Sequence, residues 1–364
     1  MSEQNPDVPP REIRALGPSG DAEALRRAYL ELLKLSLCDL TGAGTRTVSW
    51  SGDRRVFSRD LTGADQLQWR AAGRDWPLNA LTMTGLLRLD DLQSCVETVI
   101  ADQVPGDLIE AGAWRGGSSI LMRATLNSLG ARDRTVWVAD SFSGFPVPEA
   151  DGDQADVELE AEMEGLDYLA PSLEQVQGHF DRFACLEGVR FVPGFFEETM
   201  AGLGAERWSV IRLDGDTYKA TRLTLEALYP NLEVGGFVVL DDYHFLDGCR
   251  RAVDEFRHTH GISEPIERVD YNAGRWRRED PTPISGPTAD AAGAKTATAT
   301  APVSVRRAFA GSPLTMPTDR ELQLQDELTA LRAQLTAAEQ ELASLRNTPW
   351  ARARRWTLDR ARQG

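Results

Sequence analysis

Acidic residues follow two short apolar segments in the second half of the chain, and together they could bind a metal ion. Residues 208–213 and 236–240 each have the length and apolar character of a buried strand, and the stretch between them has the leucine spacing of a connecting helix. Two parallel neighbours would bring Asp214, Asp241 and Asp242 to one carboxyl edge of the sheet, where open α/β sheets bind ligands. Clustered carboxylates repel one another unless a cation lies among them, and all-oxygen ligands favour magnesium.

Two residues beside these acids are candidates for catalysis. Asp216 lies two positions after Asp214, where its carboxylate could take a proton from a substrate. An aspartate there is also a good N-cap for the following helix. His244 comes two residues after Asp242 and adjoins the same motif. We predict Asp216 and His244 as catalytic residues and leave open which of them is the base. A cap or a solvated turn remains the alternative for the Asp241–Asp242 pair.

A glycine-containing turn follows an earlier apolar segment, at residues 110–118. Gly112 and Gly116 are separated by three residues, so the turn lacks the GxGxxG spacing of dinucleotide-binding folds. Asp140 ends the next predicted strand, 28 residues after Gly112, and an acid there commonly accepts hydrogen bonds from ribose hydroxyls. Turn and acid together fit a nucleoside without a pyrophosphate, which favours S-adenosylmethionine over NAD. The alternatives are a tight turn without a ligand and an acid that only caps a turn.

The elements that must position these residues alternate between strand and helix. Strands are predicted at 107–112, 135–140, 189–193, 208–214 and 236–240, and helices at 118–129, 172–184, 197–202, 220–229 and 247–259. This alternation predicts a parallel sheet covered on both faces, with a last hairpin-like strand within 264–278. Nine acidic residues and no Lys or Arg occupy 149–167, which predicts a solvated loop or a lid over the cofactor.

The N-terminal quarter differs in pattern from the alternating part. Residues 1–20 are rich in Pro, Gly and charge, and we expect them to be disordered. Residues 21–106 are predicted as a helical region, with one helix from about Asp21 and two more over 77–100.

The C-terminal quarter changes composition at Pro281. Residues 281–318 are rich in Ala, Thr and Pro and are predicted as a disordered linker. Leucines at alternating steps of four and three predict a coiled coil over 319–346, and 347–364 form a basic tail. The heptad seam favours a homo-oligomer or a coiled-coil partner, and a solvated helical extension is the alternative.

Composition excludes several classes of protein. The net charge of −16 argues against general nucleic-acid binding. The four cysteines are scattered without a CxxC pair, which indicates reduced residues rather than disulfides or a zinc site. The first 20 residues lack the apolar core of a signal peptide, and no apolar run is long enough to form a transmembrane segment. We therefore expect a soluble cytoplasmic protein.

Several long motifs resemble the macrocin O-methyltransferase family over about residues 22–278. They are GRDWPLNALTMTG (73–85), RLDDLQSCVE (88–97), VPGDLIEAGAWRGG (104–117), VADSFSG (138–144), RLDGDTY (212–218) and VLDDY (239–243). The resemblance implies a class I methyltransferase fold. Together with the patterns above, we predict an α/β fold with a Rossmann-like class I methyltransferase sheet at 107–280, an N-terminal helical cap and a C-terminal coiled-coil extension. It further implies S-adenosylmethionine, dependence on Mg²⁺, and a small-molecule or glycan acceptor methylated on a sugar hydroxyl. Ala111 and Ala113 stand where the family usually has Thr and Val, and the acceptor remains open.

The resemblance also extends the predicted site. The predicted cofactor-binding residues are Glu110, Gly112, Trp114, Arg115, Gly116, Gly117, Asp140, Ser141 and Asp214. Two rival functions are a non-catalytic coiled-coil scaffold with a degenerate methyltransferase domain and an NAD-dependent sugar-modifying enzyme. The intact acids and glycine turn argue against the scaffold, and the missing GxGxxG spacing argues against NAD.

Overall fold

The computed structural model describes residues 22–42, 44–50, 56–61, 63–149 and 152–284. The helices are α1 (Ala22–Leu37), α2 (Ala64–Ala71), α3 (Leu86–Ala101), α4 (Gly117–Ser128), α5 (Gln154–Met163), α6 (Leu173–Arg182), α7 (Phe196–Thr199), α8 (Tyr218–Leu228) and α9 (Asp247–His260). The strands are β1 (Thr45–Trp50), β2 (Val56–Leu61), β3 (Asp107–Ala111), β4 (Val136–Asp140), β5 (Val189–Pro193), β6 (Trp208–Leu213), β7 (Leu232–Leu240), β8 (Glu267–Arg268) and β9 (Gly274–Arg277).

A seven-stranded sheet organises the second half of this region, in the order β5-β4-β3-β6-β7-β9-β8. The strands β5, β4, β3, β6 and β7 are parallel, whereas β9 pairs antiparallel with β7 and β8 antiparallel with β9. The predicted α/β fold with a class I methyltransferase sheet is confirmed. The strand order reverses between β3 and β6, and a crevice at the carboxyl ends is expected at that point.

Apolar side chains cover both faces of the sheet. Along β3, Leu108 belongs to one buried cluster, with Leu89 of α3 and Ile120 of α4. Its neighbour Ile109 belongs to the opposite cluster, with Leu225 of α8 and other residues of α8 and α9. Alternate residues of a strand point to opposite faces, so a strand buried on both sides must be apolar at nearly every position. This explains why the central strands have continuous apolar runs.

The N-terminal region is less helical than predicted. Two strands lie in this region, and β1 pairs antiparallel with β2. The prediction of two helices over 77–100 is wrong, because α3 alone forms there and begins at Leu86. The preceding loop is fixed by other parts of the chain, since the Val48 N–H donates to the carbonyl of Trp76 at 2.7 Å. The loop therefore holds a defined position in front of the sheet without helical structure.

The acidic stretch contains a helix where a solvated loop was one expectation. Asp153 caps α5 by accepting the Ala155 N–H at 3.1 Å. Leu159 and Met163 are buried, so α5 packs on the protein despite its acidic composition. Its proposed role as a lid stays a prediction.

The end of the folded region lies beyond the predicted boundary. The hairpin-like strand predicted within 264–278 corresponds to β8 and β9. Ile284 packs against the apolar cluster, and Arg278 donates to the carbonyl of Thr282 at 2.9 Å. Residues 281–284 are therefore part of the fold rather than of a linker. The predictions for 1–20, for 285–318, for the coiled coil and for the basic tail lie outside the described residues. Within the described part of the chain, no helix combines the length and apolarity needed to cross a membrane.

Candidate active site

The turn after β3 approaches the end of β6 too closely for a side chain. Gly112 has a φ of +91°, and a Cβ placed there would lie 1.8 Å from the carbonyl oxygen of Asp214. Only glycine fits at this position. The Asp214 N–H in turn donates to the carbonyl of Ala111 at 2.8 Å. The glycine turn and Asp214 are therefore held side by side at the carboxyl edge of the sheet.

Asp140, at the end of β4, fixes the same turn from its other side. Its Oδ2 accepts the backbone N–H groups of Ala113 at 2.8 Å and Trp114 at 2.9 Å. Its Oδ1 accepts the N–H of Phe142 at 2.8 Å. Burial raises the pKa of Asp140, and the three N–H donors oppose that rise. These three backbone N–H groups therefore stabilise the negative charge of Asp140 even without a ligand.

A cavity of about 860 Å³ that is open to solvent lies beside this turn, and we call it the first cavity. It is lined by five of the nine predicted cofactor-binding residues, namely Gly112, Trp114, Asp140, Ser141 and Asp214. Phe195 and Phe196 follow β5 and add aromatic surface, and Glu160, Glu197 and Lys219 add charge. Apolar walls with a few polar groups are typical of small-molecule sites.

Three other predicted cofactor-binding residues hold the turn against its neighbours instead. Arg115 Nη1 donates to two backbone carbonyls of the loop before α3, at 2.8 and 2.9 Å. A Cβ at Gly116 would lie 2.7 Å from the ring of Phe180, and one at Gly117 would lie 2.5 Å from the carbonyl oxygen of Leu81. None of the three lines the first cavity. The structure shows that all three make packing contacts outside the lining of the first cavity.

Glu110 lies beneath the turn, within the sheet. It stands in register with Arg212 on β6, and its Oε1 accepts Arg212 Nη1 at 2.7 Å. Its other carboxylate oxygen accepts the hydroxyl of Ser119. Burial raises the pKa of Glu110 to about 7, although Arg212 opposes the rise. The structure thus places Glu110 against Arg212 and outside the first cavity, contrary to the prediction.

Three carboxylates converge at the ends of β6 and β7, and we call them the carboxylate group. Asp214, Asp216 and Asp242 each bring one oxygen within 4.8 Å of the others. Burial raises the pKa of Asp216 and Asp242 well above the ordinary value, and the neighbouring acids raise it further. Arg212 donates to Asp214 at 2.8 Å and compensates only part of this charge.

The carboxylate group has the chemistry of a cation site. Asp242 Oδ2 is buried without a hydrogen-bond partner among the described residues, and so is the side-chain oxygen of Asn272. Asn272 Nδ2 donates to the other oxygen of Asp242 at 3.1 Å. An unpaired buried oxygen is costly, whereas a hard divalent cation would satisfy several such oxygens at once. The residues present therefore fit magnesium.

Asp241, predicted as a metal ligand, is engaged by two arginines instead. Arg88 of α3 and Arg212 of β6 each donate to one of its oxygens, and all three residues are buried. Arg88 also pairs with Asp270 at 3.1 Å. Asp216 rather than Asp241 is thus the third acid beside Asp214 and Asp242. Adjacent residues at a strand end point in different directions, which the sequence pattern alone did not resolve.

His244 does not reach the carboxylate group. Its ring packs against Tyr243, with centroids 4.9 Å apart, and it lines neither large cavity. Burial lowers the pKa of His244, so the imidazole is held in its neutral form. The structure therefore does not place His244 where a catalytic base would act.

A second cavity, which encloses about 780 Å³, adjoins the carboxylate group. Most of its apolar lining comes from three segments, and the residues are Trp76 and Met83 before α3, Leu159 and Met163 of α5, and Phe245 and Leu246 after β7. The two cavities share five lining residues, Met83, Phe145, Leu169, Asp214 and Asp216. The first and second cavities thus meet at two of the three acids.

Two arginines essential to this arrangement were not predicted. Arg212 lies within an apolar strand, and a charged residue there signals a buried acidic partner. Arg88 gave no such signal, because it lies on the amphipathic α3 and its partner Asp241 is 153 residues away.

Comparisons with known proteins agree with this architecture. A family profile described as Macrocin-O-methyltransferase (TylF) matches residues 27–278. The chain is 48% identical over 259 residues to the 8-demethyl-8-(2,3-dimethoxy-alpha-L-rhamnosyl)-tetracenomycin-C 4'-O-methyltransferase of Streptomyces olivaceus, a match that covers 70% of this chain and 94% of that protein. It is 47% identical over 253 residues to the mycinamicin III 3''-O-methyltransferase of Micromonospora griseorubida, covering 69% and 96%. The solved structure of the O-methyltransferase NovP is 39% identical with a TM-score of 0.63, and the match covers 70% of this chain and 100% of that one.

Proposed function

We propose that this chain, which belongs to the macrocin O-methyltransferase family, methylates a sugar hydroxyl of a glycosylated natural product. Membership of that family makes it an S-adenosylmethionine-dependent O-methyltransferase. The relative named for a rhamnosyl tetracenomycin and its 4'-oxygen supports a sugar acceptor. The structural observation that supports the proposal most strongly is the meeting of the two cavities at Asp214 and Asp216.

The methyl donor is assigned to the first cavity. Gly112 allows the ligand to approach the backbone, and Asp140 lies at the strand end where a ribose hydroxyl is expected. Ser141 and the aromatic pair Phe195 and Phe196 supply the polar and flat surfaces that a nucleoside needs.

The acceptor is assigned to the second cavity. Its lining contains a single cationic side chain among the described residues, Arg88, which is already paired with Asp241 and Asp270. A diphosphate would meet acids there and no free positive charge, so a neutral glycoside fits better than a nucleotide sugar. The apolar wall that includes Leu159, Met163 and Phe245 suits the aglycone of such a glycoside.

The carboxylate group is assigned to a magnesium ion. Asp214 and Asp242 are ligands in the sequence-based hypothesis as well, and Asp216 replaces Asp241 as the third. When bound, the ion would stabilise the sugar alkoxide as it forms, a contribution of several kcal/mol to the rate. Arg212 fixes the orientation of Asp214 through its hydrogen bond at 2.8 Å.

Asp216 is the residue we assign as the proton acceptor. It borders both cavities, so a hydroxyl in the second cavity can approach it while facing a donor in the first. The acceptor oxygen forms a bond to the methyl carbon while the carbon–sulfur bond breaks, and S-adenosylhomocysteine leaves as a neutral thioether. The hydroxyl proton passes to the Asp216 carboxylate. The displacement requires oxygen, carbon and sulfur in line, which two cavities meeting at one wall allow.

A direct assay tests the proposed function. Full-length protein is incubated with S-adenosylmethionine, Mg²⁺ and three acceptors: a demethyl glycoside, its free aglycone and the corresponding nucleotide sugar. Mass spectrometry should detect one added methyl group, located on the sugar fragment of the glycoside. Methylation of the aglycone alone, or of the nucleotide sugar alone, would contradict the acceptor assignment.

Two further proposals concern the location of the enzyme and the role of its C-terminal leucines. We infer that the enzyme acts in the cytoplasm and that the leucine seam of 319–346 supports self-association or binds a partner helix. A chain ending after residue 286 keeps the contacts of Thr282 and Ile284. It should methylate a small acceptor at the rate of the full chain but contain fewer subunits per particle in sedimentation equilibrium. The same number of subunits in both chains would leave the seam without a role in self-association.

A further inference from the structure

The two ends of the first cavity can be told apart by what they adjoin. A third, smaller pocket shares four lining residues with the first cavity, Pro146, Glu160, Glu197 and Lys219, and none with the second. If the donor binds as proposed above, its reactive methyl group lies at the end that adjoins the second cavity. With the ribose at Asp140 on β4, the adenine extends away from β6, toward Phe195 and Phe196 after β5. The next residue, Glu197, borders the third pocket, so the adenine end of the cavity is the one beside that pocket.

Glu160 of α5 lies at this adenine end. Its relative exposure is 6%, yet it lines both the first cavity and the third pocket. Burial and the charges of neighbouring groups, Asp156 first among them, raise the pKa of its carboxyl. The carboxyl borders the cavity and has no hydrogen-bond partner among the described residues, so a bound ligand could supply a donor.

The neighbouring charges do not supply that donor. Lys219 is the cation whose charge lowers the pKa of Glu160. Its ammonium, however, is already paired with Glu149 and Glu197, each at 2.8 Å. Asp156, four residues before Glu160 on α5, accepts the backbone N–H groups of Tyr218 at 2.7 Å and Lys219 at 2.9 Å. Glu149, Glu197 and Asp156 therefore each have a protein partner, whereas the Glu160 carboxyl has none among the described residues.

The backbone of α5 is well placed to hold Glu160 over the cavity. Asp156 ties α5 to the start of α8 through those two hydrogen bonds, and Asp153 pairs with Arg251 of α9. The preceding residue of α5, Leu159, lines the second cavity. One helix thus contributes to both cavities, and its attachment to α8 and α9 sets how far Glu160 reaches toward the donor.

We propose that Glu160 accepts a hydrogen bond from the exocyclic amine of the donor's adenine and makes the first cavity selective for a 6-aminopurine. The aromatic side chains of Phe195 and Phe196 line the same cavity and offer surfaces against which the ring can pack. Burial, with Asp156 nearby, raises the pKa of Glu160 to about 7. The carboxyl is therefore partly protonated near neutral pH, and its carbonyl oxygen remains an acceptor in either form.

Calorimetry with two nucleosides tests this assignment. The probes are S-adenosylhomocysteine and its 6-deamino analogue, in which hydrogen replaces the amine. Wild-type protein should bind S-adenosylhomocysteine about 10- to 100-fold more tightly, the range of one hydrogen bond to a charged group. Glu160→Ala should abolish this preference by weakening only S-adenosylhomocysteine. Glu160→Gln keeps an amide oxygen as acceptor and should retain most of the preference.

A matched control lies on the same helix. Glu162 is exposed, and Glu162→Ala should leave both affinities at wild-type values. If Glu160→Ala keeps the wild-type preference for the amine, Glu160 does not recognise adenine, although the proposed function stands. If wild-type protein binds neither nucleoside, the donor assignment fails and this inference fails with it. If Glu160→Ala does not fold, Glu160→Gln is the variant that tests the proposal. Equal affinity of Glu160→Gln for the two nucleosides would then overturn it.

Discussion

Hydrogen bonds stabilise the negative charge of the acid at the end of β4 more fully than that of the acids at the ends of β6 and β7. Asp140 accepts three backbone N–H groups and needs no ligand to be stable. Asp216 and Asp242 lie among other carboxylates, and an oxygen of Asp242 is buried without a partner. The difference indicates that the donor side of the site is preformed, whereas the carboxylate group would be completed by the proposed cation.

The largest effect is expected from neutralising the acid that borders both cavities. Asp216→Asn removes the proposed proton acceptor and one charge of the cation site while keeping the side-chain volume. Turnover should fall about 10²- to 10⁴-fold, the usual contribution of general-base catalysis. S-adenosylhomocysteine affinity, measured by calorimetry, should change little. Asp133→Asn, at an exposed position, is the control. Turnover within a factor of two of wild type would remove Asp216 from the mechanism.

The next prediction separates Asp241 from its neighbour Asp242. Asp241→Asn leaves Arg88 and Arg212 without their shared carboxylate, and breaking a buried pair typically costs about 3–5 kcal/mol. Asp242→Asn instead relieves repulsion and should leave the metal-free protein as stable as wild type or more so. Urea unfolding in EDTA measures both variants. Equal destabilisation by the two substitutions would mean that the two acids have the same role.

A smaller effect is expected at the preformed site. Asp140→Ala removes the acceptor of three backbone N–H groups and the proposed contact to ribose. S-adenosylhomocysteine should bind more weakly by about 1.5–3 kcal/mol, the scale of a hydrogen bond to a charged group. The magnesium requirement should be unchanged. Wild-type affinity in calorimetry would assign Asp140 to the turn alone.

The smallest effect concerns pH. Because the folded-state pKa of Asp242 is raised, its contribution to stability is fully present below the ordinary carboxylate pKa of about 4. That contribution is lost as the pH rises from there through the raised pKa. In EDTA, the stability of wild type relative to Asp242→Asn should therefore decrease with rising pH. A difference in unfolding free energy that stays constant across the pH series would show that the acid is not strained by its neighbours.

The elements of the fold were largely predictable because their signals are local. Apolar runs such as 208–213 give buried strands, and Gly112 marks a turn where no other residue fits. The antiparallel strands β1 and β2 and the helix α5 were missed. The two strands mix polar, charged and aromatic residues, which is a weak signal. The helix buries Leu159 and Met163 within an otherwise acidic segment.

The site was predictable in its location more than in its individual roles. The parallel strand order brings the acids to one edge, which the spacing indicated. Which acid points to which partner depends on contacts between distant residues, such as Arg88 with Asp241 and Glu110 with Arg212. Glu160 gave no signal of its own within the acidic stretch, because its importance comes from the cavity that it borders.

The most direct test of the account is the cation dependence of methyl transfer. Wild-type protein is treated with EDTA, dialysed and supplied with S-adenosylmethionine and a glycoside acceptor, and the methylated product is quantified with and without added Mg²⁺. Transfer should be lost without the ion and restored by it, while binding of S-adenosylhomocysteine to the first cavity stays nearly unchanged throughout. Transfer at the full rate in EDTA would contradict the proposal that Asp214, Asp216 and Asp242 hold a cation required for the reaction.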